Sequence, residues 1–434
     1  MTSVSASQPG RQHPTFRQAF LFWLKLGFIS FGGPAGQIAI MHEEVVQRRG
    51  WIGERRFFNA LNYCMLLPGP EAQQLATYLG WLLHGTRGAI AAGLLFVLPS
   101  ALLLWALAWA YMTWGSAASF QNVLAGLKSA VLALVILAVV RISRKALRHR
   151  IHWILAVASF AVSVSGWVPF PVVILIAGLV GFWCRTALRV TQIDDPTDPS
   201  SQSTDAPPSG EGSSRRVWVT LMWGGVIWLA PVLVAMGVLG RDHLVAQMAV
   251  FFSKTSLITF GGAYAVIPYV AESATGSGWI SQTQMMDAMA FAETTPGPLV
   301  MVLQFVGFVG AWQAPDPFTP LTAGTLAALI TSWATFVPSF VWILCGAPFV
   351  ERLSRLDWAS AMLSGVTAAV SGVILQLALW FASGVLWSES SGVRWLPAVL
   401  AAACGVAFAK RAAPAPWIII AAGVTSALAI PLLR

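Results

Sequence analysis

Apolar runs long enough to cross a bilayer recur along nearly the whole chain, and the informative feature is where they break. The first covers about residues 16–41 and is interrupted at Gly32-Gly33-Pro34. The second, about 57–83, is interrupted at Pro68-Gly69-Pro70 and carries Asn59, Asn62, Glu71, Gln73 and Gln74, so it must face protein or water. Unbroken candidates follow at about 89–114 and 123–140, then shorter ones at about 151–167 and 169–183. Further on come a run at about 217–239, one at 244–270 broken at Gly261-Gly262, and one at 285–312 broken at Pro296-Gly297-Pro298. Runs near 320–345, 361–381, 395–409 and 416–432 follow. A helix needs about 20 apolar residues to span, so the pattern predicts an all-α polytopic membrane protein.

The breaks are written twice. Residues 22–34 align without a gap on 251–263: Phe22 falls on Phe251, Lys25 on Lys254, Ser30 on Thr259, and Phe31-Gly32-Gly33 on Phe260-Gly261-Gly262. Each copy is followed at nearly the same distance by a Pro-Gly-Pro. Later blocks match as well, Val97-Leu98-Pro99-Ser100 with Phe336-Val337-Pro338-Ser339, and residues 125–131 with 364–370. Duplication is therefore predicted.

From about Thr191 to Ser214 the composition turns to Asp, Pro, Ser, Gly and Thr, which cannot bury enough apolar surface to fold. The chain thus divides into a polar tail (1–15), a first transmembrane half (16–189), a flexible cytoplasmic linker (190–216), an additional transmembrane helix (217–240) and a second half (241–434). Loop charge reverses between the halves. Arg48, Arg49, Arg55 and Arg56 align with residues 271–284, which hold no Lys or Arg. Arg141, Arg144, Lys145, Arg148 and Arg150 align with sequence free of both from Trp380 to Arg394, whereas the uncharged turn after Trp114 aligns with Arg352 and Arg355. Basic loops stay in the cytoplasm, so the second half is expected to be inverted, with the additional helix supplying the odd crossing. Arg11 and Arg17 precede the first break and Arg48–Arg56 follow it, so that run is expected to enter and leave by one face as a re-entrant hairpin. The Pro68 run is expected to do the same; the alternative is a kinked full span for each.

Composition narrows the class. With 57% hydrophobic and 10% charged residues over 434 positions and a mean hydropathy of +0.70, an ordinary soluble protein is excluded. The net charge of +9 needs no nucleic acid to explain it, because most arginines flank apolar runs. The opening residues lack a cleavable secretory pattern, so the first apolar run is expected to remain in the mature protein. Cys64, Cys184, Cys345 and Cys404 are scattered, which suits packing rather than disulfides or metal. His149 and His152, beside Arg148 and Arg150, are expected on a solvated rim. No cofactor is implied.

The chemistry follows from the breaks. Glycine costs about 1 kcal/mol and proline about 3 kcal/mol in a helix interior, and in lipid the freed backbone groups are tolerated where they line a cavity. Pro34, Pro70 and Pro298 stand where new half-helices would begin, and a half-helix N-terminus favours an anion. Lys25 and Lys254 lie about 10 Å, two turns, ahead of Gly32 and Gly261 and add positive charge. Candidate anion-binding residues are therefore Lys25, Phe31, Gly32, Gly33, Pro34, Pro68, Gly69, Pro70, Lys254, Phe260, Gly261, Gly262, Pro296, Gly297 and Pro298. Lys128 is a weaker candidate, because its counterpart is Thr367. Glu71, Glu293 and Asp287 are candidate proton carriers, since an ionisable group in a membrane segment is functional by default. The bland alternative is that the glycines permit close helix packing and the lysines reach an interface.

This set, Phe31-Gly32-Gly33-Pro34 with Pro68-Gly69-Pro70 and Phe260-Gly261-Gly262 with Pro296-Gly297-Pro298, resembles the chromate ion transporter family in its long, two-domain form. The resemblance spans both halves and leaves out the tail, linker and additional helix. It implies a secondary transporter of the bacterial inner membrane that exports chromate from the cytoplasm, driven by the proton gradient, and so confers resistance. Ala263 stands where Pro34 does and Leu299 where Glu71 does, so the two sites are not expected to be equivalent. The residues themselves support only an oxyanion, chromate or sulfate alike; an anion channel and a membrane enzyme are the alternatives, the enzyme lacking a metal cluster, a nucleophile with its base, or a nucleotide motif. Expected partners are the anion, protons, the bilayer and, in a homodimer, a second copy.

The loop charges give a test. A cysteine at Ser203 and one at Arg49 should react with an impermeant thiol reagent from the cytoplasmic face, and one at Ser277 from the other. Reaction of the Arg49 and Ser277 positions from a single face would rule out inversion.

Overall fold

A computed structural model describes residues 13–186, 214–350, 357–388 and 392–433. Most of the polar tail with Arg11, most of the predicted linker with Arg189 and Ser203, and Arg352 and Arg355 lie outside the described residues.

Local chemistry sets the helix ends. Thr15 and Gln18 form a capping box that starts α1 (Phe16–Ile29), and Ala19, Phe22, Trp23 and Leu26 give it one buried stripe. α1 stops before the first glycine pair: Gly32 and Gly33 have φ of +88° and +67°, a region open to glycine and strained for other residues. α2 (Gly33–Met41) starts there with Pro34 in its first turn and continues as a wider π turn, His42–Arg48. α3 (Glu54–Leu66) leads into the Pro-Gly-Pro corner, from which α4 (Glu71–Trp114) departs. α4 turns sharply at His84–Gly85, which leaves residues 71–83 as a short arm and the remainder as a long span through Pro99. α5 (Ala118–Ala146), α6 (Arg150–Ser165) and α7 (Phe170–Trp183) follow.

After α8 (Ser214–Leu239) the order repeats. α9 (Leu244–Ile258), α10 (Ala263–Gly276) and α11 (Gln282–Thr294) precede a 3-10 turn, Leu299–Met301, that leads into α12 (Val302–Gln313). Then come α13 (Pro320–Gly346), α14 (Asp357–Leu386), α15 (Trp395–Ala409) and α16 (Ala415–Leu433). Two-residue strands β1 (Trp387–Ser388) and β2 (Gly392–Val393) pair between α14 and α15. α4, α5, α8, α13, α14 and α16 contain stretches long and apolar enough to cross a membrane, and the molecule is a multi-pass membrane protein.

The broken segments are hairpins. A kinked continuous span would carry Arg49 roughly 30 Å or more from Phe22 at about 1.5 Å per residue. Instead the Arg49 guanidinium lies 5.0 Å from the Phe22 ring centre, and Trp51 packs edge-on against the same ring at 5.3 Å. The second half closes the same way, Trp279 on Phe251 at 5.3 Å. α11 and α12 also return to one side, since the Gln284 side chain at the start of one donates to the Gln313 side chain at the end of the other, 3.3 Å. The first-half hairpins thus open among the arginines and the second-half hairpins open at Ser277–Gln284. α8 has no counterpart in the first half.

The halves are interlaced by close glycine contacts. α6 and α7 pack on α14 of the other half, and α15 and α16 pack on α5. In the repeated block, Gly126 of α5 lies against the Ala422 carbonyl of α16, and Gly365 of α14 lies against the Ala177 carbonyl and the Gly181 Cα of α7. Small residues let helix backbones approach where lipid gives no hydrophobic drive. His152 departs from expectation. It is buried, shares a hydrogen bond of 2.9 Å with Ser364 Oγ across the halves, and braces the His149 cap, because α14 covers this face of α6.

A Cβ at Gly365 would stand 3.0 Å from the Gly181 Cα, whereas one at Gly225 of α8 meets nothing within 4 Å. Gly365→Leu should therefore destabilise by about 1–3 kcal/mol or more, read as a lowered thermal midpoint in detergent, and Gly225→Leu should leave that midpoint unchanged.

Candidate functional site

The four breaks cross. The Gly69 N–H donates to the Thr259 carbonyl at 2.7 Å, and the Gly297 N–H donates to the Ser30 carbonyl at 2.8 Å. Thr259 and Ser30 are matching positions, as are Gly69 and Gly297, so the corner of each half is tied to the glycine break of the other. The packing repeats the exchange. A Cβ at Gly69 would meet Ser339 Oγ of the second half, and one at Gly297 would meet Ser100 Oγ of the first, at 2.6 Å in the latter case. Gly69 and Gly297 also hold φ of +129° and +104°, so shape and conformation both demand glycine.

Four half-helix N-termini meet around these crossings. Those of α2 and α10 begin at Gly33 and Ala263, and those of α4 and the turn before α12 begin at Glu71 and Leu299. Pro34 lies inside its first turn, while Pro70 and Pro298 stand one residue before theirs, as N-caps. Unpaired N–H groups and the partial positive charge at such ends favour an anion. Buried hydrogen-bonding atoms without a partner among the described residues gather here too: Ser30 Oγ, Gln37 Oε1, Gln73 Oε1, Gln74 Oε1 and Ser339 Oγ. Gln37 donates to the Gly297 carbonyl and Gln74 to the Pro68 carbonyl, so each amide leaves an acceptor oxygen free inside the site.

The carboxylates are set unequally. Glu71 lies over the second-half break, its Oε1 at 3.6 Å from where a Cβ on Gly262 would be. It makes no hydrogen bond among the described residues, and the charge that bears on it is that of Lys145 on α5. Glu293 accepts a hydrogen bond of 2.6 Å from Tyr264, and the Tyr264 hydroxyl reaches to 3.7 Å from a Cβ position on Gly33. Arg141, one turn before Lys145, bears on Tyr264. Each break thus has a carboxylate at it: Glu71 directly over Gly262, Glu293 through Tyr264 beside Gly33.

Asp287 is arranged differently. It is wholly buried on α11, 2.9 Å from the Lys128 ammonium of α5, and accepts from the Tyr111 hydroxyl of α4 at 2.9 Å. Lys25 on α1 and Lys254 on α9 are exposed, and neither makes an ion pair or hydrogen bond among the described residues. Phe31 and Phe260 are half-buried beside their glycines, and Phe260 packs with Val366 and Val370. Pro68 is half-buried, and Gly69, Pro70, Pro296, Gly297 and Pro298 are buried. Gly261 approaches Val370 and keeps φ of +82°.

Sequence reading alone does not single out Tyr264, Gln37, Ser100, Ser339, Tyr111, Arg141 or Lys145 for this place. Two signals were available. Ser100 and Ser339 lie in a repeated block, and Tyr264, one of five tyrosines, stands where the first half has Ala35.

A leucine at either glycine break would have to adopt positive φ and would fill the space before the N–H groups. Gly33→Leu and Gly262→Leu are expected to reach the membrane and to lose oxyanion flux by at least about tenfold, a change of roughly 1.4 kcal/mol in barrier. Flux at the parent rate in either variant would remove that break from the pathway.

Comparison with known proteins places these motifs. A family model described as "Chromate transporter" matches residues 17–182 and 246–427. The chain is 30% identical over 365 residues to a chromate transport protein of Cupriavidus metallidurans, covering 83% of this chain and 81% of that one. It is 30% identical over 383 residues to a chromate transport protein of Pseudomonas aeruginosa, covering 86% and 82%, and 28% identical over 368 residues to a probable chromate transport protein of Synechococcus elongatus, covering 83% and 84%. No solved structure matches the chain.

Proposed function

Because the chain belongs to the chromate transporter family, we propose that it carries chromate out of the bacterial cytoplasm across the inner membrane, in exchange for protons, and so protects against chromate. The observation that carries this reading is the reciprocal crossing of the breaks, which gathers half-helix N-termini and unpartnered buried amide and hydroxyl oxygens around Glu71 and Glu293. The N–H groups suit an oxyanion, the hydroxyls of Ser30 and Ser339 can donate to it, and the candidate residues at the breaks form its path. Arg141 and Lys145 give the arginine-rich face, which we place in the cytoplasm, a positive entrance. The opposite entrance has Trp380 and Gly384 at the matching positions, so recruitment of a dianion is favoured from one side only.

Coupling follows from competition. Ionised Glu71 and a dianion favour the same N–H groups at Gly262, and a site filled by one excludes the other, which is the condition for exchange. Protonation withdraws the carboxylate, and its return displaces the anion. Glu293 is the second coupling candidate, with its hydroxyl partner Tyr264 set beside Gly33.

The test is uptake into everted membrane vesicles, chromate against sulfate, with and without an imposed pH gradient. Concentrative chromate uptake that an uncoupler abolishes is expected; passive flux insensitive to it would indicate a channel, and preference for sulfate would change the substrate. Glu71→Gln should retain downhill chromate exchange but lose accumulation driven by the pH gradient. Unchanged pH dependence in both Glu71→Gln and Glu293→Gln would exclude both carboxylates from coupling.

A further inference from the structure

Matching positions in the two halves are unequally covered. On α3, Asn62 is exposed and Phe58 is 45% exposed; their counterparts on α11, Ala290 and Met286, are 0% and 3% exposed. At the breaks, Gly32 and Ala39 are exposed, whereas Gly261 is half-buried and Pro268 is buried. The exposed line of α3 also carries Glu54 and Arg55, groups that lipid does not accommodate. The first-half hairpin is therefore the uncovered one, and the second-half hairpin is packed shut.

What shuts it is specific. Asp287 of α11 is held by Lys128 of α5 and Tyr111 of α4, two helices of the opposite half, at 2.9 Å each. Phe291, one turn along α11, packs its ring against Tyr111 at 6.0 Å and Phe305 at 5.4 Å. Met286 occupies the space that a side chain on Gly384 of α14 would take. Around the first-half hairpin the matching positions are Asn59 of that hairpin and Thr367 and Val350 of the second half, none of them charged, and Asn59 makes no hydrogen bond among the described residues. A buried ion pair is hard to part, because each charge left alone in a low dielectric is strongly unfavourable. The tie exists on one side only.

We propose that Lys128, Asp287 and Tyr111 form a latch that seals the second-half hairpin, so that this structure is the inward-open member of a pair of states. Resting on the transport reading above, the outward-open state is reached by exchange of surroundings between the repeats: α11 parts from α5 and takes the open setting of α3, and α3 takes the closed one. Water admitted by the opening then solvates Lys128 and Asp287. The latch acts on conformation, and none of its three residues touches the crossing of the breaks.

The experiment measures thiol labelling of the full chain in membranes, with no chromate present. Asn62→Cys and Ala290→Cys are made separately, reacted with an impermeant maleimide from each face, and corrected for the four native cysteines of the parent. The Asn62 position should react from the cytoplasmic face and the Ala290 position should be protected from both. Addition of Asp287→Asn should speed labelling at position 290 from the outer face by about tenfold or more, while labelling at position 62 falls, as a population shift requires. Lys128→Asp combined with Asp287→Lys should restore protection. Unchanged protection at position 290, or faster labelling at both positions together, would overturn the latch. Should Asp287→Asn fail to reach the membrane, Tyr111→Phe, which keeps the ion pair, should shift both positions in the same directions by a smaller factor. Reciprocal labelling in a protein that moves no chromate would overturn the transport reading and leave the latch standing.

Discussion

A pair of backbone hydrogen bonds, Gly69 to Thr259 and Gly297 to Ser30, is the constraint on which the rest depends. A helix interrupted inside a bilayer leaves carbonyl and N–H groups that lipid cannot satisfy, at several kcal/mol for each one left alone. Here the carbonyl freed at the end of α1 is answered by the corner before α12, and the one freed at the end of α9 by the corner before α4. Each corner N–H is thus tied to the break of the other half, while Gln37 and Gln74 also reach carbonyls within their own half. Duplication is thus built into the chemistry of the site, and the glycines of both Pro-Gly-Pro corners are fixed by the same two bonds and by the serines packed against them.

On this symmetric backbone the side chains are unequal, and the inequality separates roles. Glu71 is matched by Leu299, Tyr264 by Ala35, Glu293 by Met65, Asp287 by Asn59 and Lys128 by Thr367. A repeat with identical halves would have two end states of equal energy. Charges and aromatic rings placed on one side only bias that balance, and they let the two crossings differ in what they hold while sharing one geometry.

Much of the framework was legible in the chain. The gapless match of Phe22–Pro34 on the second copy, the Pro-Gly-Pro markers and the reversal of loop charge predict two broken, inverted halves, because helix breakers and arginines act locally and leave their mark at fixed positions. The hairpin reading was legible from arginines on both sides of a break, and Phe22 beside Arg49 and Trp51 shows why it holds. What a single sequence does not carry is which break faces which. Crossing of the halves is a long-range pairing, and from it come the places of Tyr264, Gln37, Ser339 and Ser100. The lysines illustrate the limit from the other direction: seven residues before a glycine fixes distance along a helix and not the face, and Lys25 and Lys254 lie on exposed faces. The partners of Asp287, Lys128 and Tyr111, are remote in sequence and are likewise not legible in it.

The glycine-to-backbone seats between α5 and α16, and between α14 and α7, bear on how the molecule is made. α5 is complete early in synthesis, yet α16, which fills its Gly126 seat, is made far later in the chain. Until then the first half stands in the bilayer with a groove open along α5, while α7 waits for α14. Neither half is therefore a folding unit, although each is a unit of sequence repetition. Assembly closes only once α16 has been made, and loss of α16 would strip the first half of its cover as surely as the second.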